Sequence, residues 1–209
     1  MIHRARPAAV GTVVLAVACA VTPSAQATPE APSTRAAAAP TAYNKWAWFK
    51  DTYWIVPKKG IYSVMHVQDG NKWVVTRGQT VFHIQDYFNG YWTGSVVVKL
   101  SRAKVTTCQF VLGQVTPEGN VYMTMFSADT GEIVNNPVGS MVRKQGEWSM
   151  VNQMTGPSSD GTSSLSHWAY MMQSKKGDAT YKNLPFVHQS IPDFMGSCPK
   201  APPLIVPER

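Results

Sequence analysis

The chain has 209 residues, of which 44% are hydrophobic and 15% are charged, and its formal net charge at pH 7 is +7. Three adjacent pairs occur among the 19 basic residues, Lys58-Lys59, Arg143-Lys144 and Lys175-Lys176, each beside or near Gly or Pro. Such pairs are typical of solvated turns and form no stripe of the kind that binds nucleic acid. We therefore expect no nucleic-acid partner.

The first 27 residues have the order of a secretory signal peptide. A short basic segment (residues 1–6) precedes an apolar run (residues 8–21) that is too short to span a bilayer as a helix. Pro23 then breaks the helix, and residues 25–27 supply the small side chains that signal peptidase requires. We predict cleavage after Ala27, export to the periplasm or the medium, and no transmembrane segment in the mature chain.

Cleavage would change both the charge and the cysteine count. Loss of Arg4 and Arg6 lowers the formal charge from +7 to +5. Loss of Cys19 leaves Cys108 and Cys198, an even pair that we expect to form a disulfide in an oxidising compartment. The alternatives are two free thiols or, if Cys19 is retained and acylated, a membrane-tethered lipoprotein.

The mature chain divides into three parts by composition. Residues 28–42 are mostly Ala, Pro and Thr and predict a disordered linker, since they bury too little apolar surface to fold. Residues 43–198 are long enough for one domain with one core. Residues 199–209 contain four prolines and predict an extended tail.

The domain reads as short β-prone runs separated by turn residues, with no convincing helical period. Nine or ten strands are predicted, at spacings of about 8 to 15 residues; they cover 61–68, 72–76, 80–85, 91–100, 106–114, 121–126, 132–135, 137–143, 147–154 and 164–173. Consecutive hairpins favour an all-β antiparallel meander that closes into an up-and-down, lipocalin-like β-barrel, because closure removes exposed edges. A β-sandwich is the alternative. Residues 42–53, or the stretch after Tyr181, could form a short helix.

Gly90-Tyr91-Trp92 resembles the Gly-x-Trp that lipocalin-type barrels carry near their first strand. In this chain the tripeptide follows several predicted strands instead of preceding them. We therefore assign no family from it.

The unusual feature of the composition is its load of seven Trp, eight Tyr and ten Met. Trp and Tyr join an apolar body to a polar tip, and Met adapts its shape, so such residues on inner strand faces can line a cavity. The simpler interpretation is that they fill the core. If a ligand cavity exists, the predicted lining is Trp73, Phe82, Trp92, Phe110, Trp148, Met150 and Trp168.

Few residues suggest catalysis. His66, His83 and His167 lie on predicted strands and are weak candidates for a zinc site, but none occurs in a pair with ligand spacing. No cofactor is predicted. The first hypothesis is a non-enzymatic exported barrel that binds a small apolar or amphipathic ligand. The alternatives are a protein-interaction or inhibitor module with exposed aromatics, its partner unknown, and an enzyme that uses the strand histidines.

Overall fold

The structure is a computed structural model that describes residues 42–57, 61–144, 146–157 and 163–206. The predicted signal peptide and all but the last residue of the predicted linker lie outside these ranges. Cleavage after Ala27 therefore stays a prediction.

The predicted all-β antiparallel meander is confirmed. Ten strands follow one another in the described residues: β1 (Thr52–Ile55), β2 (Ile61–Val67), β3 (Lys72–Phe88), β4 (Tyr91–Leu100), β5 (Thr107–Val115), β6 (Asn120–Ser127), β7 (Ile133–Asn135), β8 (Val138–Lys144), β9 (Glu147–Pro157) and β10 (Ser163–Ser174). A 3-10 helix (Ala42–Phe49) precedes them, and two short helices, α1 (Ala179–Lys182) and α2 (Ile191–Met195), follow.

Hydrogen bonds close eight of the strands into a barrel-like ring. Each strand from β2 to β6 pairs with the next, β6 pairs with β8, and β8 with β9. β10 then pairs with both β9 and β2, which completes the ring. The predicted β-sandwich alternative does not describe this arrangement, since a sandwich would divide the strands between two separate sheets.

Two places in the ring are each shared by two short strands. β1 and β2 both lie between β3 and β10: β1 pairs with residues 81–84 of β3 and β2 with residues 72–78. In the same way β7 and β8 both pair with β6, at its end and at its start. Ten strands therefore occupy eight positions.

Aromatic side chains fill one end of the ring. The aromatic cluster consists of Trp46, Phe49, Trp54, Trp92 and Trp148; the first four are fully buried and Trp148 is half-buried. Ring centroids are 5.0 Å apart between Trp46 and Trp148 and 5.7 Å apart between Phe49 and Trp54. The 3-10 helix that supplies the first two rings is fixed to the strand ends, because Trp46 Nε1 donates to the Thr116 carbonyl at 2.8 Å.

Gly113 makes room for this cluster. It lies directly opposite Trp92 across β4 and β5, and a Cβ built on it would come within 2.0 Å of the Trp92 ring. No side chain fits at that distance. The Trp92 indole can therefore lie across β5 only because this position is glycine.

The C-terminal segment covers part of the outer face of the ring. Leu184, Ile191 and Phe194 pack on Val81 and Val97, which point outward from β3 and β4. Cys198 follows α2 and lies at disulfide-bonding distance from Cys108 on β5, with the two Cα atoms 5.5 Å apart. The predicted pairing is supported. No helix among the described residues has the length and apolarity needed to cross a membrane.

The start of the proline-rich tail lies along the same side. The Ala201 amide donates to Ser95 Oγ at 2.9 Å, and the Leu204 amide donates to Asp86 Oδ2 at 3.3 Å. Backbone without regular structure is thus hydrogen-bonded to β3 and β4 as far as residue 204.

Removal of the disulfide should lower the free energy of unfolding. The bond joins residues 90 positions apart, and the chain-entropy model assigns the closure of such a loop about 4 kcal/mol. We expect the double variant Cys108→Ser/Cys198→Ser to unfold at lower urea concentration than the oxidised protein, measured by tryptophan fluorescence. Dithiothreitol should bring the wild type close to the variant and leave the variant unchanged. Equal midpoints for the oxidised wild type and the variant would contradict this expectation.

Candidate functional site

The interior of the ring contains a cavity of about 90 Å³. Strands around the ring line it, including β2, β3, β4, β5, β6, β9 and β10, whereas no described lining residue belongs to the 3-10 helix. The cavity therefore occupies the part of the interior that the aromatic cluster leaves unfilled.

Apolar side chains form most of the cavity wall. Phe82 on β3 and Val96 and Val98 on β4 line it at alternate positions, as inward-facing residues of a strand should. Four methionines complete this part of the wall: Met65, Met125, Met154 and Met171. Because an unbranched thioether side chain adapts its shape easily, the cavity can change its width without movement of the strands.

Three residues that line this cavity each carry a buried polar atom with no hydrogen-bond partner among the described residues. The atoms are Asn135 Oδ1, Asn152 Oδ1 and His167 Nδ1. Asn135 and Asn152 are 6% and 4% exposed, so bulk solvent does not satisfy them. A buried polar group without a partner costs about 1–3 kcal/mol. Three such groups around one cavity are a feature that packing alone does not explain.

The strand register brings two of these groups together. Asn152 lies directly opposite Ala169, and His167 lies opposite Met154, so Asn152 and His167 are diagonal neighbours on the inner face of β9 and β10. The Asn152 amide nitrogen already approaches Met171 Sδ at 3.7 Å. Its oxygen, which only accepts hydrogen bonds, has no partner and lies close to Gly139 on β8.

His167 is neutral at physiological pH. Burial lowers the pKa of His167 from its usual 6.5 to about 4, because the charged imidazolium would lose its hydration. A neutral imidazole carries one donor and one acceptor nitrogen. No Asp, Glu, Lys or Arg lies among the described residues that line the cavity. Its chemistry is therefore that of a neutral, mostly apolar space with a few hydrogen-bonding groups.

The seven residues predicted to line a ligand cavity occupy different places. Phe82 lines the cavity. Trp92 and Met150 are fully buried in the packed core, and Trp148 packs against it. The remaining three point to the outer face: Phe110 is half-buried there, while Trp73 and Trp168 are 77% and 63% exposed. Any binding role for this set stays a prediction.

The sequence contained a signal for part of the cavity. Met150 and Met154 share a face of β9, and Asn152 lies between them at the same period of two. A polar residue on an otherwise apolar inner face could have been singled out on that ground. Nothing in the sequence distinguishes His167 from His66 and His83 in the same way.

The three strand histidines do not meet. His167 faces inward, whereas the His66 ring lies beside the exposed Trp73 ring with centroids 4.8 Å apart. His83 also faces outward; its Nε2 lies 3.0 Å from Asp51 Oδ1, and its ring stacks on Tyr53 at 4.2 Å. Within the described ranges, no group of three or more His, Cys, Asp or Glu residues could hold a metal ion.

Protonation of His167 should destabilise the fold as the pH falls. An unfolded histidine titrates near pH 6.5, whereas the pKa of folded His167 is about 4, so between these values the unfolded chain binds the proton first. The stability associated with neutral His167 is therefore fully present above about pH 6.5 and is lost toward pH 4, a difference of at most about 3 kcal/mol.

We expect the free energy of unfolding of His167→Gln to fall less steeply than that of the wild type between these pH values. Urea titrations at each pH measure it, and the same substitution at His66 on the outer face is the matched control. The same pH dependence in the wild type and His167→Gln would show that burial does not depress this pKa.

Comparison with known proteins leaves the function to be argued from this geometry. No family model, no curated protein and no solved structure matches the chain. The cavity and its unpaired polar atoms are therefore the basis of the functional proposal.

Proposed function

We propose that this protein binds one small, neutral, amphipathic molecule in the cavity and catalyses no reaction on it. The observation that carries the proposal is the set of three buried polar atoms without partners, Asn135 Oδ1, Asn152 Oδ1 and His167 Nδ1, around one apolar cavity. A ligand that supplies hydrogen bonds to them would remove the cost of leaving them unpaired.

The polar atoms define the polar part of the ligand. Amide oxygens accept hydrogen bonds and do not donate them, so Asn135 and Asn152 both call for a donor on the ligand, such as a hydroxyl or an N–H group. A charged ligand is disfavoured, because no ionised group of the described lining would compensate for its lost hydration. The remaining ligand surface contacts Phe82, valine and methionine side chains and should be apolar.

The volume of the cavity limits the size of the ligand. A cavity of roughly 150 Å³ accommodates benzene, and this one measures about 90 Å³. A ligand with a single six-membered ring therefore requires the cavity to widen modestly, which rearrangement of Met65, Met125, Met154 and Met171 would permit. We propose a ligand of this size or smaller.

We also propose that the protein works outside the cytoplasm, after cleavage at Ala27. The support is the order of charge, apolar run and small residues in the first 27 positions, together with Cys108 and Cys198 at bonding distance. The intact mass of the protein purified from its producing cells tests this. It should correspond to residues 28–209 in the oxidised form, whereas a mass that includes Cys19 with an acyl group would establish the lipoprotein alternative.

Phenol and toluene test the proposed binding mode, because they differ only in a hydroxyl and a methyl group. If Asn152 Oδ1 accepts from the ligand, Asn152→Leu should lower the ratio of phenol to toluene affinity by about tenfold, since a net hydrogen bond contributes roughly 1–1.5 kcal/mol. NMR titration of both compounds against the wild type and the variant measures the ratio.

Gln153→Leu is the matched control, since Gln153 is the next residue of β9 and points to the outer face. It should leave the ratio unchanged, and Asn135→Leu should shift the ratio in the same direction as Asn152→Leu. Failure of both compounds to bind the wild type at millimolar concentration would refute the proposed function. So would a ratio that is unaffected by Asn152→Leu.

A further inference from the structure

A row of exposed, uncharged side chains runs around the outer face of the ring. On β10, β9, β8 and β6, Trp168 lies opposite Gln153, Gln153 opposite Val138, and Val138 opposite Tyr122. On β5, β4 and β3 the pairing continues from Tyr122 to Gln114, then to Tyr91 and finally to Phe88. We call this set the outer row; its members, all exposed, are Trp168, Gln153, Val138, Tyr122, Gln114, Tyr91 and Phe88.

The first four members of the outer row border a surface groove of about 480 Å³. Trp168 stands at one side of the groove and Tyr122 at the other. Asn120, Ser140 and Val151, which pair with one another in the next row along the strands, also line the groove. Apart from the Tyr122 phenol, no described lining residue has an ionisable side chain. The groove therefore combines two aromatic rings with amide and hydroxyl groups, and its described lining contains no Asp, Glu, Lys, Arg or His.

The two rings that border the groove are not engaged elsewhere. Three other exposed or half-exposed aromatics do have a partner: Trp73 contacts His66, Arg77 lies 5.1 Å from the Tyr62 ring, and Lys144 lies 4.7 Å from the Tyr170 ring. Within the described ranges, no aromatic ring or cation stacks on Trp168 or Tyr122. Trp168 is 63% exposed and Tyr122 is 49% exposed.

We propose that this groove binds a neutral polysaccharide chain. The C–H face of a pyranose ring is apolar and stacks on Trp and Tyr, whereas its hydroxyls exchange hydrogen bonds with amides and hydroxyls such as those of Gln153, Asn120 and Ser140. The groove offers both kinds of contact: two rings for the apolar faces of sugar units, and amide and hydroxyl groups for their hydroxyls. An uncharged groove fits a glycan without carboxylate or sulfate groups.

The spacing of the strands fits more than one sugar. β10 and β6 are three strand positions apart through β9 and β8, which corresponds to about 14 Å at the usual spacing between strands. Trp168 and Tyr122 can therefore contact different sugar units of one chain. Because these side chains project from a hydrogen-bonded sheet, the protein backbone loses little conformational entropy when the sugar chain binds.

A second copy of this chain, or another protein, is the competing occupant of an exposed aromatic groove. Protein interfaces have an apolar centre from which water is excluded. Between Trp168 and Tyr122 this groove contains the Gln153 amide and Val138, and its lining also includes the Ser140 hydroxyl. Groups of this kind are better suited to glycan hydroxyls than to apolar side chains, so the observations favour a sugar.

An array of neutral and acidic glycans tests the proposal, with affinities then measured by calorimetry on the best neutral oligosaccharide. We expect the wild type to bind neutral glycans and not acidic ones. Trp168→Ala and Tyr122→Ala should each weaken binding by about five- to tenfold, the loss of one ring contact, and Gln153→Ala should also weaken it. Trp73→Ala is the matched control: it removes an exposed tryptophan that lies outside the groove and should leave the affinity unchanged.

Three results would overturn the proposal. The first is no binding to any neutral glycan on the array, and the second is equal loss of binding in Trp73→Ala and Trp168→Ala. The third is self-association in sedimentation velocity that Trp168→Ala abolishes, without glycan binding, which would assign the groove to a second copy. Folding of each variant is checked by its circular dichroism spectrum. None of these results bears on the cavity, because its lining residues face the opposite side of the sheet.

Discussion

The aromatic cluster packs at one end of the barrel-like ring of strands, and this packing determines where the interior is left unfilled. Trp46, Phe49, Trp54 and Trp92 fill that end, and Gly113 lets the Trp92 indole lie across β5. The 3-10 helix that contributes the first two rings is held there by the bond from Trp46 Nε1 to Thr116. Since hydrogen bonds close the strands into a ring, the wall cannot simply collapse onto the unfilled remainder. A cavity beside the cluster is the consequence.

Because successive side chains of a strand point to opposite faces, the inner and outer faces of the sheet carry different groups of side chains. On β10, His167 and Ala169 face the cavity, while Trp168 between them faces outward into the groove. On β9, Asn152 faces inward and Gln153 outward in the same way. Inside, polar atoms without partners lie among apolar side chains; outside, aromatic rings and amides are exposed to solvent. The two proposed sites therefore share strands without sharing side chains, and their variants are independent.

The antiparallel meander and the cysteine pairing followed from local signals. Turn residues such as Asp69-Gly70 and Phe88-Asn89-Gly90 separate the β-prone runs, and two cysteines remain after the predicted cleavage. The lining of the cavity did not follow, because alternation groups residues by face without saying which face is inside. Trp73 and Trp168 occupy strands with apolar residues on both faces, so the size of their side chains suggested burial and the structure exposes them. The unpaired state of Asn135, Asn152 and His167 depends on contacts between distant strands.

Methionine methyl signals offer the most direct test of the claim that the interior is half packed and half able to bind. In protein labelled with ¹³C at the methionine methyl groups, phenol should shift the signals of Met65, Met125, Met154 and Met171, which line the cavity. The signals of Met123 and Met141, which are buried in the core but do not line the cavity, should stay nearly unchanged. Shifts confined to the second group, or equal shifts in both, would contradict the account.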